Sequence, residues 1–143
     1  MTHLKAMQRL LEVFAECTGR EMPPDAAQQF AQLLQTGIPV KSYIYQEGIG
    51  KRLEWFTIQT VVMLDPKRWL LIELDQNKDG IFVTARRMNR EGLEEALEKR
   101  MTEFEESCTY CDDLEVFKHV VVVHTHMDEL LKNASSSDHS SAT

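Results

Sequence analysis

Apolar residues recur every three or four positions near the N-terminus, and this spacing predicts two helices. The first covers residues 2–18 and stops before Gly19. Its predicted buried face consists of Leu4, Met7, Leu11 and Phe14. The second begins at Asp25, whose carboxylate can cap a helix, and stops at Gly37. Because each apolar stripe is narrow, we expect this helical hairpin to pack on a larger surface.

The middle of the chain changes to alternating apolar and polar residues, with many β-branched and aromatic side chains. This pattern predicts four strands, over residues 40–46, 53–64, 69–74 and 81–87. Since the turns between them are short, the strands should form an antiparallel meander. One face of the second predicted strand carries Phe56, Ile58, Thr60, Val62 and Leu64, and the other face begins with Trp55, Thr57 and Gln59.

Helical spacing returns after Asn89, which can cap a third helix. Its apolar side carries Leu93, Leu97, Met101 and Phe104. Residues 116–124 then contain four consecutive valines, which favour a strand because branched side chains lose rotamer freedom in a helix. A helix is the alternative here, since Leu114, Phe117, Val121, His124 and Leu131 also fall at roughly helical spacing.

Together these elements predict one α+β domain over residues 1–131. An antiparallel sheet of four or five strands would be covered on one face by the helical hairpin and the third helix. A short helix over 127–132 would close the domain. Residues 132–143 are rich in serine and lack large apolar side chains, so we expect a flexible tail.

Charge and composition limit the function classes. The net charge of −7 over 143 residues opposes attraction to phosphate backbones, so nucleic acid is an unfavoured partner. The longest aliphatic run, 120–123, is too short to cross a membrane, and the N-terminus lacks the apolar stretch of a secretory signal. The chain has three cysteines, whereas a disulfide framework needs a larger and even number. These features predict a cytoplasmic protein with reduced thiols.

The segment Asp75-Gln76-Asn77-Lys78-Asp79-Gly80 resembles the first half of an EF-hand calcium loop. The twelfth position of that loop needs a bidentate glutamate, but this chain has Arg86 there. The flanking residues are predicted strands, whereas an EF-hand loop joins two helices. We therefore interpret the segment as a hairpin turn.

A second candidate for metal chemistry combines histidines and cysteines near the C-terminus. The strand ending in His124, His126 and Asp128 resembles the first metal motif of the metallo-β-lactamase superfamily, although Glu129 stands where that family has another histidine. The family's further ligands lie well downstream, so its complete hydrolase site cannot be built here. Cys108 and Cys111 have the spacing of a zinc half-site. These residues define the alternative hypothesis of a zinc-binding protein or metal-dependent hydrolase.

Uneven charge distribution points instead to protein binding. The third predicted helix is strongly acidic, and Glu94, Glu98 and Glu105 are candidate contacts for a basic partner. A basic edge precedes it, formed by Arg86, Arg87 and Arg90. An aromatic patch formed by Trp55, Trp69 and Tyr43 or Tyr45 is a further candidate surface.

We therefore expect a small acidic binding or adaptor protein without catalytic activity or cofactor, which self-associates through a helix or a strand edge. The order of a helix, a sheet meander and a helix is similar in outline to secretion chaperones and toxin immunity proteins. This analogy exists at the level of the fold and names no partner.

Overall fold

The computed structural model describes residues 2–49, 52–110 and 116–126. In chain order, the elements in these ranges are α1 (Thr2–Thr18), α2 (Pro24–Leu34), β1 (Ile38–Ile49), β2 (Arg52–Asp65), β3 (Arg68–Asn77), β4 (Gly80–Met88), α3 (Arg90–Tyr110) and β5 (Val116–Val123). The predicted α+β class with an antiparallel sheet is confirmed. The predicted domain boundary at residue 131, the helix over 127–132 and the tail lie outside the described residues.

The sheet order is β4-β3-β2-β1-β5. Strands β1 to β4 form the predicted meander, and the chain then passes through α3 before β5 pairs antiparallel with β1. The strand prediction for the valine run is confirmed, because β5 pairs continuously from Gly48↔Val116 to Lys41↔Val123. The helical alternative for this segment is wrong. The strand ends at Val123, so His124 and His126 lie just beyond it.

Both faces of the sheet are covered by helices. Helices α1 and α2 pack on the face that carries Phe56, Ile58 and Val62. Helix α3 packs on the opposite face, where Leu93 contacts the cluster of Val61, Trp69 and Leu71. The predicted alternation in β2 is therefore correct, but the prediction that all three helices cover one face is wrong. Both faces carry apolar rows, so each needs a cover to exclude water.

The buried side of α1 differs from the predicted one. Met7 and Phe14 are buried as predicted, but Leu4 is 56% exposed and Leu11 37% exposed. Their places are taken by Ala6, Leu10 and Val13. These residues recur at the same spacing one step around the helix, and sequence spacing alone does not choose between two adjacent stripes.

Of the two predicted helix caps, the structure contains one. Asn89 caps α3, because its Oδ1 accepts a 2.8 Å bond from the Gly92 amide. Asp25 does not cap α2, which begins one residue earlier at Pro24 and has no side-chain cap. The hairpin interpretation of the segment 75–80 is confirmed: Asn77 pairs with Gly80, and Gly80 has a φ of 137° that glycine adopts readily. Among the described helices, none is long and apolar enough to span a membrane.

Candidate functional site

A buried ion pair joins α3 to the sheet. The Arg100 guanidinium donates from Nη2 to Glu47 Oε1 at 3.1 Å, and the two side chains are only 15% and 10% exposed. The same nitrogen lies 3.4 Å from Thr57 Oγ1. The guanidinium also lies over the ring of Tyr45, 4.4 Å from its centroid, which is favourable for a cation. This one arginine therefore holds α3 against β1 and β2.

Asp75 lies beside this ion pair on the same face of the sheet. Its Oδ1 accepts a 3.0 Å hydrogen bond from Thr57 Oγ1. Burial raises the pKa of the Asp75 carboxyl and the nearby Glu73 carboxylate raises it further, whereas the Thr57 hydrogen bond and Arg100 act in the opposite direction. Glu73 itself pairs with Arg86 at 2.9 Å. Within the described ranges, no cation lies within ion-pair distance of Asp75.

Two exposed aromatic side chains flank Asp75. Phe82 is directly opposite Asp75 in the β3–β4 register and is 51% exposed. Trp55 is 48% exposed and shares a face with Thr57, the direct register partner of Asp75. Trp69, in contrast, is 7% exposed and belongs to the cluster under α3. The predicted aromatic patch therefore does not include Trp69, and Trp55 has Phe82 as its aromatic neighbour across β3.

Aromatic rings fasten the other end of α3 to the β5 side of the sheet. The rings of Tyr45 and His119 stack with centroids 4.4 Å apart, and Phe104 of α3 lies 5.3 Å from Tyr45 and 5.8 Å from His119. The ring of Tyr43 is nearly parallel to that of His119, with centroids 6.4 Å apart. Helix α3 thus crosses the face diagonally, from β4 at its start to β1 and β5.

Strand β5 forms one edge of the sheet and exposes apolar side chains. Within the described part of the chain it pairs with β1 alone. The exposed fractions are 37% for Val120, 46% for Val121 and 45% for Val123. Edge strands of soluble proteins usually carry charges, prolines or bulges that prevent further pairing. Here the charge in the middle of the strand is Lys118, and no proline interrupts the run.

Hydroxyl and imidazole groups form a hydrogen-bonded chain on the face of the sheet that α1 and α2 cover. Ser42 Oγ is 2.7 Å from Thr60 Oγ1 and 2.7 Å from His124 Nε2. Burial lowers the pKa of His124 from 6.5 to about 4, so this imidazole is neutral at pH 7. A serine beside a histidine is the arrangement of a nucleophile and its base. Ser42 is fully buried, however, so its hydroxyl cannot meet a substrate in this conformation and the chain instead links β2, β1 and the end of β5.

The predicted metal residues do not form a site within the described part of the chain. His126 is exposed, whereas His124 is half-buried and bonded to Ser42. Cys108 lies in α3, but its side chain, Cys111 and Asp128 fall outside the described residues. The described residues contain no group of three or more histidine, cysteine or carboxylate side chains that could hold a metal ion. The zinc hypothesis stays a prediction.

The predicted partner-binding residues are exposed but do not form one patch. Glu94, Glu98 and Glu105 lie along the outer side of α3, and Glu94 pairs with Arg90 at 3.3 Å. Arg86 and Arg87 are consecutive in β4, so their side chains point to opposite faces of the sheet. The basic edge is therefore divided, and the acidic side of α3 is the more continuous surface.

A cavity of about 720 Å³ lies between the α1–α2 loop and the β3–β4 hairpin. Phe14 and Ile81 contribute apolar surface, and the charged lining residues are Arg20, Glu21, Lys78 and Asp79. Two positive and two negative side chains balance, so the cavity has no evident preference for a ligand of either charge.

Sequence reasoning missed the polar residues under α3. Glu47 follows the predicted strand over 40–46, but β1 extends to Ile49 and includes it. For Asp75 the sequence suggests a turn or a calcium loop and gives no indication of the contact with Thr57. A signal was present, because Glu73 and Asp75 share a face with Leu71 and Trp69 in β3. Along this face of β3, two apolar residues are followed by two carboxylates. Such a pattern indicates that the face becomes partly exposed there or that the carboxylates pair with cations.

Comparison with models of known protein families, with curated proteins and with solved structures finds no match for this chain.

Proposed function

We propose that this chain is a non-catalytic binding protein that associates with other polypeptides by adding a strand to the exposed edge of β5. The observation that supports this most directly is the exposure of Val120, Val121 and Val123 on an edge strand of eight residues. Main-chain groups at such an edge pair with any extended segment, and the alternate side chains select among segments.

The geometry of the β1–β5 ladder identifies the free backbone groups. The His124 amide donates to Val40 O at 2.8 Å, so this residue directs its backbone groups towards β1. Backbone direction alternates along an antiparallel strand. The amides of His119, Val121 and Val123 therefore point away from β1 and are available for a further strand.

A second copy of the chain is the occupant that the β5 sequence favours. Antiparallel pairing of two β5 strands, centred on Val120, would place Lys118 of each copy opposite Val122 of the other. Like charges would not meet, Val120 would face Val120, and Val121 and Val123 would face His119 and Phe117, which stabilises cross-strand pairs. Such a two-fold pairing would form one continuous sheet through both copies. The basic partner and the cytoplasmic location remain predictions.

Substitution of Val121 tests the proposal by its effect on oligomeric state. Val121→Pro removes an outward amide without removing a bond to β1, and proline is tolerated on edge strands. Val121→Thr is the matched control, since it keeps the amide and suits a strand. We expect sedimentation velocity to give twice the 16.5 kDa chain mass for the wild type and the control, and a single chain mass for the proline variant.

Hydrogen exchange at β5 gives an independent readout. Protection of the outward amides should rise with protein concentration in the wild type if a second copy covers them. A wild type that is monomeric at all concentrations, with these amides either exchanging freely or protected regardless of concentration, would refute self-association through β5.

A further inference from the structure

The corner of the sheet that α3 leaves open combines exposed aromatic rings with a carboxylate. Helix α3 covers Trp69 and Leu71 on this face, and its Arg100 reaches Glu47 and Thr57. Beyond Thr57, Trp55 and Phe82 stay about half exposed, although both rings are large and apolar. Exposed aromatic side chains on a partly covered sheet face often mark a binding surface.

The acids on this face differ in how they are compensated. Glu47 has Arg100 and Glu73 has Arg86 within ion-pair distance. Asp75 has one oxygen bonded to the Thr57 hydroxyl, and within the described residues no cation lies within ion-pair distance of it. Burial disfavours this carboxylate and raises its pKa, the more distant Arg100 offsets that cost only in part, and a cation placed directly beside the carboxylate would relieve more of it.

The register brings the three side chains within reach of one bound group. Directly opposed residues on one face have Cβ atoms roughly 5 Å apart, and diagonal neighbours about 7–8 Å apart. Asp75 is directly opposite Phe82 and diagonal to Trp55. The Phe82 ring extends along its own strand towards Gly80, the side on which Trp55 lies.

We infer that Trp55, Asp75 and Phe82 form a site for a cationic side chain, lysine or arginine, presented by a basic segment of a partner polypeptide. Aromatic faces attract cations, and the same sheet face already holds the Arg100 guanidinium over Tyr45 in this way. The net charge of −7 and the acidic outer side of α3 would steer a basic partner towards this surface. The site lies across the sheet from β5 and does not depend on self-association.

Tryptophan fluorescence can report on this site alone. The chain has two tryptophans, and Trp69→Phe would leave Trp55 as the single reporter. This substitution keeps an aromatic ring in the core and removes no hydrogen bond, because Nε1 of Trp69 has no partner in the described structure, and circular dichroism should confirm that the variant folds. In this background, we expect a hexa-arginine peptide amide to change Trp55 emission saturably, with affinity that falls as salt rises. A hexa-glutamate peptide should give no change.

Asp75→Asn should weaken hexa-arginine binding roughly tenfold, since the ion pair to a partly desolvated carboxylate is lost while the aromatic rings remain. Asp79→Asn is the matched control, because it removes the same unit of charge from an exposed residue of the adjacent hairpin. Its binding should stay within about twofold of the wild type.

A second variant keeps the test independent of the Asp75 hydrogen bond. The variant is Trp55→Ala in the wild-type background. Because the replaced side chain is about half exposed, the variant should fold. Calorimetric titration should then show weakened hexa-arginine binding. Equal weakening by Asp75→Asn and Asp79→Asn would indicate a general charge effect and overturn the site. Absence of saturable binding to the wild type would overturn it as well.

Discussion

At the scale of single residues, the most consequential contact is the Arg100–Glu47 ion pair. Both side chains are largely withdrawn from water, and the pair connects α3 to a strand 53 positions away in sequence. Breaking a buried pair leaves one charge without compensation, whereas surface pairs contribute little. The pair therefore attaches the middle of α3 to the sheet, between the contacts of Leu93 and those of Phe104.

Removing Glu47 should be costly. We expect Glu47→Ala to lower the free energy of unfolding by about 3–5 kcal/mol, because Arg100 would remain buried without its partner. The exposed Arg90–Glu94 pair of α3 is the matched control, and Glu94→Ala should cost less than about 1 kcal/mol. Urea unfolding measures both values. Equal costs for the two variants would contradict the importance of the buried pair.

His124 should make stability depend on pH. Its folded-state pKa of about 4 lies below the unfolded value of 6.5, so the unfolded chain binds the proton more readily. The stabilising contribution of neutral His124 is complete above pH 6.5 and is lost as pH falls towards 4. The loss of unfolding free energy across this window should be smaller in His124→Gln than in the wild type.

The control for this prediction is His126→Gln, because His126 is exposed and lies two residues away. It should retain the wild-type pH dependence. A wild-type profile in the His124→Gln variant would show that other groups cause the acid sensitivity.

At the scale of elements, α1 shows the difference between the apolar face that sequence periodicity predicts and the face that packs in the structure. Both stripes repeat at helical spacing, but the buried face combines Ala6, Leu10 and Val13 with Met7 and Phe14, whereas Leu4 and Leu11 stay exposed. The choice depends on the direction in which the chain enters and leaves the helix, which neighbouring elements determine.

Two leucine substitutions measure that difference. Leu10 is fully buried, so Leu10→Ala should lower the free energy of unfolding by about 2–5 kcal/mol through lost burial and a residual cavity. Leu4 is 56% exposed, so Leu4→Ala should change it by less than about 0.5 kcal/mol. Chemical unfolding followed by circular dichroism gives both values. The reverse order would support the stripe that sequence spacing predicted.

At the scale of the whole molecule, the diagonal course of α3 separates two surfaces with different chemistry. One is the apolar β5 edge, suited to backbone pairing. The other is the open corner around Asp75, suited to a cation. The two lie at opposite sides of the sheet order, with β3 and β4 beside the corner and β5 at the far edge. Because these surfaces are separate, the two proposed interactions, with a second copy and with a basic partner, would not compete for the same residues.

Local pattern was sufficient for the elements and for the meander. Alternation in β2, the cap at Asn89, the turn at Asn77 and the valine run of β5 each depend on backbone preferences within a few residues. Self-association through a helix or a strand edge stays a prediction. The sequence also showed that the 75–80 segment turns the chain, because its flanks have strand periodicity.

Tertiary structure decided the placement of α3 and everything that depends on it. Periodicity shows which residues share a face, but it does not show which element packs against that face. Because both faces of this sheet are apolar, the sequence alone does not decide which face α3 covers. The pairing of Glu47 with Arg100, the half-burial of Asp75 beside Trp55 and Phe82, and the contact of His124 with Ser42 join residues distant in sequence. Such contacts arise only when the helices pack on their own faces of the sheet, because packing, unlike backbone preference, is a property of the whole chain.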